Sequence, residues 1–388
     1  MNYPSRLSHP LAAVVVALIL MTSPARPIAV SVASGPTGII AFMDYCTHRV
    51  YAIRGDGTGR VALPLPPLPE PGSAFQYGTP QLLDVTTTGA TTVVYRLSII
   101  RRDGTAPADT ALYAVQVNDN GGSSLEPASA LRLALPADVP VSGEASVNPN
   151  RASRGAFSSA GPEERLALVV STGTGNVLMT VKVDRDASTS VTGLSDVIVV
   201  AELESLGVPD PAVASYGFAG SIDYAPDGSG IVASIYHDLW LVRLTSEHTL
   251  DAAEQLTPNT DGAVEWNPSY SPDGLRVAYT AGILTKEGTV GMGKTNIYTV
   301  GALSGAVTPI TSTAGKGKSF SSPNDAMWAP DGASIGFAAY TSSTARRAPC
   351  SALVNSDIFS INSDGSGTAS LITNTNGTSV EGAPKWGW

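Results

Sequence analysis

Tyr224-Ala225-Pro226-Asp227-Gly228, Tyr270-Ser271-Pro272-Asp273-Gly274 and Trp328-Ala329-Pro330-Asp331-Gly332 are three copies of one phrase, an aromatic and a small residue followed by Pro-Asp-Gly. A truncated fourth copy, Pro384-Lys385-Trp386-Gly387-Trp388, ends the chain, and the aromatics at 224, 270, 328 and 386 lie 46, 58 and 58 residues apart. Self-similarity at that period fits one four-stranded propeller blade per repeat, with loops of variable length.

Each copy has the same physical logic. Pro fixes φ, the Asp side chain bonds local backbone, and Gly supplies the positive φ that closes a hairpin. Short β-type runs follow at Gly230–Ser234, Leu275–Tyr279 and Ser334–Ala338, then third strands at Asp238–Val242, Asn296–Val300 and Asp357–Ile361. Fourth strands are predicted at Glu254–Thr257, Val307–Thr311 and Ser370–Thr373. Thirty-nine Gly and 28 Pro, with no long run of helical apolar spacing, fit many short strands and almost no helix.

Earlier blades are more divergent. Blade one is read from Ile39–Phe42, Arg49–Ile53 and Arg60–Leu63 and lacks only a first strand, while Ala383–Trp388 is a first strand with nothing after it. The two ends should therefore complete one blade, which removes the open sheet edge. Blade two is traced through Thr79–Leu83, Thr92–Tyr95 and Ala111–Val115. Blade three is traced through Glu144–Val147, Leu166–Val170, Val177–Val181 and Val197–Val200. The expectation is an all-β, six-bladed propeller, with seven blades the alternative if 120–210 hides another.

Arg6 precedes an apolar run from Leu11 to Met21 that is too short to span a bilayer, and small residues follow it. Residues 1–33 are read as a signal peptide and 34–388 as one propeller domain, exported to the periplasm or the extracellular space without stable membrane insertion. Those 33 residues hold Arg6 and Arg26 and no acid, so from 23 basic and 33 acidic side chains removal leaves 21 against 33, a net of −12. Such a surface is a poor match for nucleic acid or anionic lipid. A monomer is expected.

The pattern of aromatic, Ser or Ala, Pro-Asp-Gly, an apolar strand, Ile-Tyr/Phe, Asp-Gly-Ser-Gly and a terminal Leu/Ile-Thr resembles the TolB-type propeller repeat, a relative of the WD repeat. The resemblance covers about residues 38 to 388 and is strongest in the last three copies. It implies a periplasmic six-bladed propeller that binds a partner through the propeller, as TolB binds the Pal lipoprotein. The small α/β domain that precedes the propeller in that family has no counterpart between the signal and the first blade.

Several strings match catalytic motifs without their context. Gly288–Thr295 fits the phosphate-loop pattern, but a strand rather than a helix should follow, so it is read as a glycine-rich loop. Gly332-Ala333-Ser334-Ile335-Gly336 fits the nucleophile elbow, yet Gly332 is the turn glycine of the repeat. After signal removal only His48, His237 and His248 remain, with no metal-pair spacing. No catalytic residue, metal or cofactor is expected.

With strands lettered A to D from the axis outward, the A–B and C–D turns share one face and the B–C and D–A connections share the other. B–C connections at 96–110, 281–296 and 341–356, and D–A connections at 64–79 and 312–325, concentrate Arg101, Arg102, Lys286, Lys294, Lys316, Lys318, Arg346 and Arg347 on an acidic molecule. Loops on a rigid scaffold are where binding resides, so this face is expected to engage an anionic protein surface or glycan of the cell envelope. A non-enzymatic binding or scaffold protein is the favoured class. The alternative is a propeller enzyme, a polysaccharide lyase or glycan hydrolase, which would need convergent titratable groups in the channel.

Cys46 and Cys350 both fall in B–C loops, of blades one and six, which a closed six-blade ring makes neighbours. An exported even pair favours a disulfide. It would enclose about 300 residues and stabilise by about 4–5 kcal/mol in the chain-entropy account.

Overall fold

A computed structural model describes residues 38–68, 75–77, 80–86, 91–102, 109–135, 152–158, 163–171, 175–206, 221–257, 263–284, 290–312, 320–341, 356–374 and 381–387. Among the described residues the regular structure is β-strand apart from a single 3-10 turn, Leu203–Ser205.

Six antiparallel sheets follow one another as the blades of a propeller. Blade one holds β1 (Ile39–Asp44), β2 (Arg49–Arg54) and β3 (Val61–Ala62). Blade two holds β4 (Phe75–Tyr77), β5 (Gln81–Thr86), β6 (Thr92–Arg101), β7 (Asp109–Asn118), β8 (Glu126–Pro127) and β9 (Leu131–Leu133). Here β5 and β4 flank β6 in succession, and β8 and β9 share the outer edge of β7. Blade three is β10 (Ala152–Phe157), β11 (Arg165–Ser171), β12 (Asn176–Arg185) and β13 (Val191–Glu202). Blade four is β14 (Ile222–Tyr224), β15 (Gly230–Ile235), β16 (Asp238–Leu244) and β17 (Leu250–Gln255). Blade five is β18 (Ala263–Tyr270), β19 (Arg276–Leu284), β20 (Val290–Gly301) and β21 (Val307–Pro309). Blade six is β22 (Phe320–Trp328), β23 (Ser334–Thr341), β24 (Ser356–Asn362) and β25 (Ser370–Leu371). The last strand, β26 (Glu381–Gly387), pairs with β1, so blade one is completed by the C-terminus as the sequence requires.

The repeat phrase folds as its chemistry dictates. Asp227, Asp273 and Asp331 each accept the backbone N–H two residues on, at 2.9–3.0 Å. Gly228, Gly274 and Gly332 sit at φ +75, +70 and +69, where a side chain would be strained. The terminal Leu/Ile-Thr signature also has a cause: Thr257, Thr311 and Thr373 accept the N–H of Leu239, Ile297 and Ile358 at 2.8–2.9 Å, fastening the outer edge of each blade to its third strand.

The core is a ring of six layers between neighbouring blades. Strand side chains alternate between the two faces of a sheet. Ile39, Ala41 and Met43 accordingly pack toward blade two, while Ile40 and Phe42 pack with Met327, Ala338 and Ile358 of blade six. Ile40 and Phe42 are fully buried in that layer, and each such side chain contributes about 1.5–3 kcal/mol. The closing layer between blades six and one is therefore a genuine core.

Several boundaries differ from expectation because the hairpin arms stay paired farther than composition suggested. β6 and β7 pair out to Ile99–Asp109, and Leu284 opposes Val290, which shortens two B–C connections to 102–108 and 285–289. The glycine-rich string, expected as a loop, is strand from Val290 onward. β22 begins at Phe320, inside the expected 312–325 connection, and β4 lies inside the expected 64–79 connection. The inner strand of blade three is β10, whereas Glu144–Val147, the expected position, lies outside the described residues.

Candidate functional site: the axial channel

The innermost strands converge on the axis, and those of blades five, six and one arrive by the same route. Counting back from the repeat aromatic, the third residue carries a bulge: Asn267, Asp325 and Ala383 adopt φ +51, +55 and +48, and the ladders slip beside them. Asn and Asp tolerate this left-handed conformation better than other side chains. A bulge re-aims the neighbouring side chains, here along the channel wall.

Two belts of hydrogen bonds then link blade to blade. In the first, the Asn267 N–H donates to Ser221 Oγ at 2.8 Å, the Asn267 amide donates to Asp325 Oδ1, and the Ala383 N–H donates to Asp325 Oδ2 at 2.9 Å. In the second, formed one residue before the repeat aromatic in blades four and five and before Val85 in blade two, Asp84 Oδ2 accepts the Phe157 N–H at 2.7 Å, Asp223 Oδ2 the Tyr270 N–H at 2.5 Å, and Ser269 Oγ the Trp328 N–H at 3.2 Å. A carboxylate and a hydroxyl do the same mechanical work at equivalent positions. Lys385 is the blade-one member of this second position.

Lys385 also divides the channel. On the Pro-Asp-Gly side lies a narrow pocket of about 200 Å³ that includes Asp84, Asp223, Ser269 and the rim prolines Pro226, Pro272 and Pro330. On the B–C/D–A side a funnel of about 720 Å³ opens, lined among others by Tyr45, Gln81, Arg96, Trp266, Asn324 and Asp325. Lys385 lines both.

Electrostatics differ between the two chambers. Burial pushes both Asp84 and Asp223 above the usual carboxylate range, Asp223 to about 7; the Lys385 charge and the backbone donors draw each of them back. In the funnel, burial lowers the Arg96 guanidinium. Trp266 Nε1 donates to Asn324 Oδ1 at 2.7 Å, which holds the indole in the wall. Gln81 stands opposite Arg96 in the blade-two ladder, and its Oε1 is buried with no hydrogen-bond partner.

A further cavity of about 830 Å³ lies between blades three and four on the opposite face. Arg165 is fully buried there, donating to Asp196 Oδ2 at 2.8 Å, Thr180 Oγ1 at 3.2 Å and Glu163 Oε2 at 3.3 Å. Its bonds are saturated by the blade it belongs to, so it is a structural pin. His248, on the adjacent turn, is held below its ordinary value by burial and by Arg165.

Of the basic residues singled out from sequence, Arg101 and Arg102 are exposed at the end of β6 on the B–C side, with the Arg101 guanidinium 5.6 Å from the Phe75 ring centre. Lys294 falls on β20, and Lys286, Lys316, Lys318, Arg346 and Arg347 lie outside the described residues. Cys46 is not a free thiol, and Cys350 lies outside the described residues. Sequence reasoning missed Asp84, Arg96, Asp223, Trp266, Asn267, Asn324, Asp325 and Lys385. Aligning the copies backward from the aromatic, rather than forward into the turn, would have placed Asp223, Ser269 and Lys385 in one column.

Among the described residues, no cluster of His, Cys, Asp and Glu is arranged to hold a metal ion, and no helix is long and apolar enough to cross a membrane.

No protein-family model matches the chain, and no curated protein sequence does. Among solved structures it is similar to a protein assigned as a TolB from Agrobacterium tumefaciens, at 12% identity over 91% of this chain and 99% of that one, with a TM-score of 0.38. It is also similar to a protein assigned as a 6-phosphogluconolactonase from Bacteroides uniformis, at 12% identity over 86% and 81% of the two chains, TM-score 0.43. A levansucrase from B. megaterium is similar at 11% identity over 82% and 92%, TM-score 0.42. At these scores and identities the likenesses carry no argument about function.

Proposed function

We propose that this chain is an exported, TolB-like propeller of the bacterial cell envelope that binds an anionic partner, protein or glycan, on its B–C/D–A face without turning it over. The observation that carries the reading is the funnel at the centre of that face, where Arg96 and Lys385 line the wall of a protein whose net charge is −10. Arg101 and Arg102 add exposed positive charge on the same side. Two cations against one acid, Asp325, in a low-dielectric cleft favour a ligand of the opposite sign. The test is stoichiometric capture of a panel of purified envelope lipoproteins and acidic glycans. Reversal of Arg101 and Arg102 to Glu should weaken capture and reduce its dependence on salt; unchanged capture of every partner by the double variant would sink the reading.

A second reading has its own observation. Asp84 and Asp223 both have raised pKa values and border one pocket on the axis, as a general acid and base acting on a polysaccharide would. It ranks second because both carboxylates are already engaged in joining blades, as Ser269 is at the equivalent place. Turnover of acidic or neutral polysaccharides that disappears in Asp223→Asn, with the fold intact, would promote it.

A further inference from the structure

The seam that closes the ring places two acids opposite each other where its strands meet. We propose that residues 381–383 of β26 form a pH-gated latch on the funnel wall, shut while the Glu381 carboxyl holds its proton and released as it ionises.

The joint can open locally. Each of the other blades is built from consecutive strands, whereas blade one depends on β26 arriving from the far end of the chain to pair with β1. β26 is innermost and pairs on one side only, so its release breaks a single ladder. That ladder is itself interrupted: Ile39, Ile40 and Ala41 oppose Gly387, Trp386 and Lys385, the register then shifts, and beyond the shift lie the pairs Met43–Gly382 and Asp44–Glu381. Ala383, at φ +48, sits at the break. A short stretch beyond a bulge has few contacts to lose, and such segments open at a free energy below that of global unfolding.

The chemistry of the last pair sets the direction. Asp44 and Glu381 are 4% and 1% exposed, and like charges placed directly opposite destabilise a ladder. Asp44 is satisfied by its own turn, its oxygens accepting the Cys46 N–H at 2.9 Å and the Thr47 hydroxyl at 3.0 Å. Glu381 is not: Arg60 Nη1 lies 2.9 Å from its Oε1, but neither oxygen has an aligned hydrogen bond, and the guanidinium is held over the Tyr51 and Phe42 rings. Among the described residues, the groups acting on Glu381 are Asp44 from β1, Asp357 from β24, Arg60 from the turn before β3 and Thr373 from beyond β25. Burial, the largest influence, and the two acids favour the neutral carboxyl, against Thr373 and Arg60, and the proton is lost as pH rises through about 7. Opening returns the carboxylate to water, so the closed segment binds the proton more tightly than the open one, and ionisation shifts the local equilibrium toward release.

Release alters the funnel. Met43, Tyr45, Ala383 and Pro384 all belong to its wall. Tyr45 packs directly on the segment, since a Cβ on Gly382 would lie 3.0 Å from its ring. Two further ties run to blade six: Ser356 Oγ donates to the Glu381 carbonyl at 2.6 Å, and the Ala383 N–H donates to Asp325 Oδ2 at 2.9 Å. Freeing residues 381–383 therefore parts the wall between blades six and one. The consequence for partner capture rests on the reading of this face as the binding face; the latch itself does not.

Hydrogen exchange of the full chain is followed at pH 5, 7 and 9, corrected for the intrinsic pH dependence of amide exchange, in the native protein and in Glu381→Gln. Protection of the amides in 381–383 should fall by roughly fifty- to hundredfold from pH 5 to 9 in the native protein and by less than about threefold in the variant. At pH 9 these amides should exchange ahead of the most protected amides of β15 and β19. About 1 M urea should speed exchange in β15 and β19 and leave the seam unchanged, because a local opening exposes little surface. Seam protection that rises with pH would mean that the Arg60 ion pair governs, and overturns the proposal. A seam that exchanges only as fast as the core, or the same pH dependence in both proteins, overturns it too. If Glu381→Gln fails to fold, the sign of the pH dependence and the urea dependence in the native protein decide. Seam protection lost as expected, with no partner captured at any pH, leaves the latch and removes the binding face; capture with seam protection constant from pH 5 to 9 does the opposite.

Discussion

Glu381 makes the closing seam sensitive to pH. It is the first residue of β26, stands opposite Asp44 in the ladder, and is only 1% exposed. Arg60 Nη1 lies 2.9 Å from its Oε1, an ion pair by distance, yet neither oxygen has an aligned hydrogen bond. The same guanidinium lies over the Tyr51 and Phe42 rings at 4.5 and 5.2 Å, which restricts how it can turn. Burial, with help from Asp357 and Asp44, pushes the Glu381 carboxyl up to about 7, while Thr373 and Arg60 pull the other way. A folded pKa above the unfolded one means that the contribution is complete below the ordinary 4.5 and is lost as pH rises through about 7. At about 1.4 kcal/mol per pH unit, the rise from 4.5 to about 7 corresponds to a loss of about 3 kcal/mol between pH 5 and 9. Glu381→Gln keeps the shape and removes the titration. Asp223 acts in the same window and direction, so the informative quantity is the difference between wild type and variant. Urea unfolding from pH 5 to 9, followed by tryptophan fluorescence, should show near-equal stabilities at pH 5 and a variant about 3 kcal/mol ahead at pH 9. Curves that stay parallel within about 0.5 kcal/mol would refute the argument.

Three further outcomes follow from the same seam. Gly38 sits at φ +92, and a Cβ there would lie 2.2 Å from the Gly387 carbonyl oxygen, so Gly38→Ala should destabilise by more than about 1 kcal/mol, measured as a drop in Tm; an unchanged Tm contradicts the terminal pairing. Ala383 holds φ +48 without the local bonding that favours Asn or Asp, and Ala383→Gly should raise stability by about 0.5–1 kcal/mol in urea unfolding; a loss would show that the bulge is not strained. The proposed Cys46–Cys350 bond should appear as one cross-linked peptide in non-reduced mass mapping, and Cys350→Ser should cost about 2–5 kcal/mol; free thiols at both positions would exclude it.

Turn chemistry, strand alternation and the repeat period made the blades, their order and the closure by β26 legible, because each depends on residues near one another in the chain. Asp227 bonds the amide two positions on, and Gly228 takes its φ, whatever the rest of the molecule does. Strand ends were less legible: whether Leu284 still opposes Val290 depends on two arms meeting across a loop, which composition does not encode. Of the axial site only the column of Asp223, Ser269 and Lys385, one residue before the repeat aromatic, was legible. Asp84, Asp223 and Lys385 come from blades two, four and one, and as isolated residues each looks like an ordinary solvated charge. Only the closed ring brings them to one axis and removes water from around them; the bulges at Asn267, Asp325 and Ala383 then turn neighbouring side chains along the channel. The sequence by itself determined the repeating blade, and tertiary closure decided which of its polar residues share a low-dielectric cavity, since burial and mutual charge are properties of the assembled ring and not of any repeat within it.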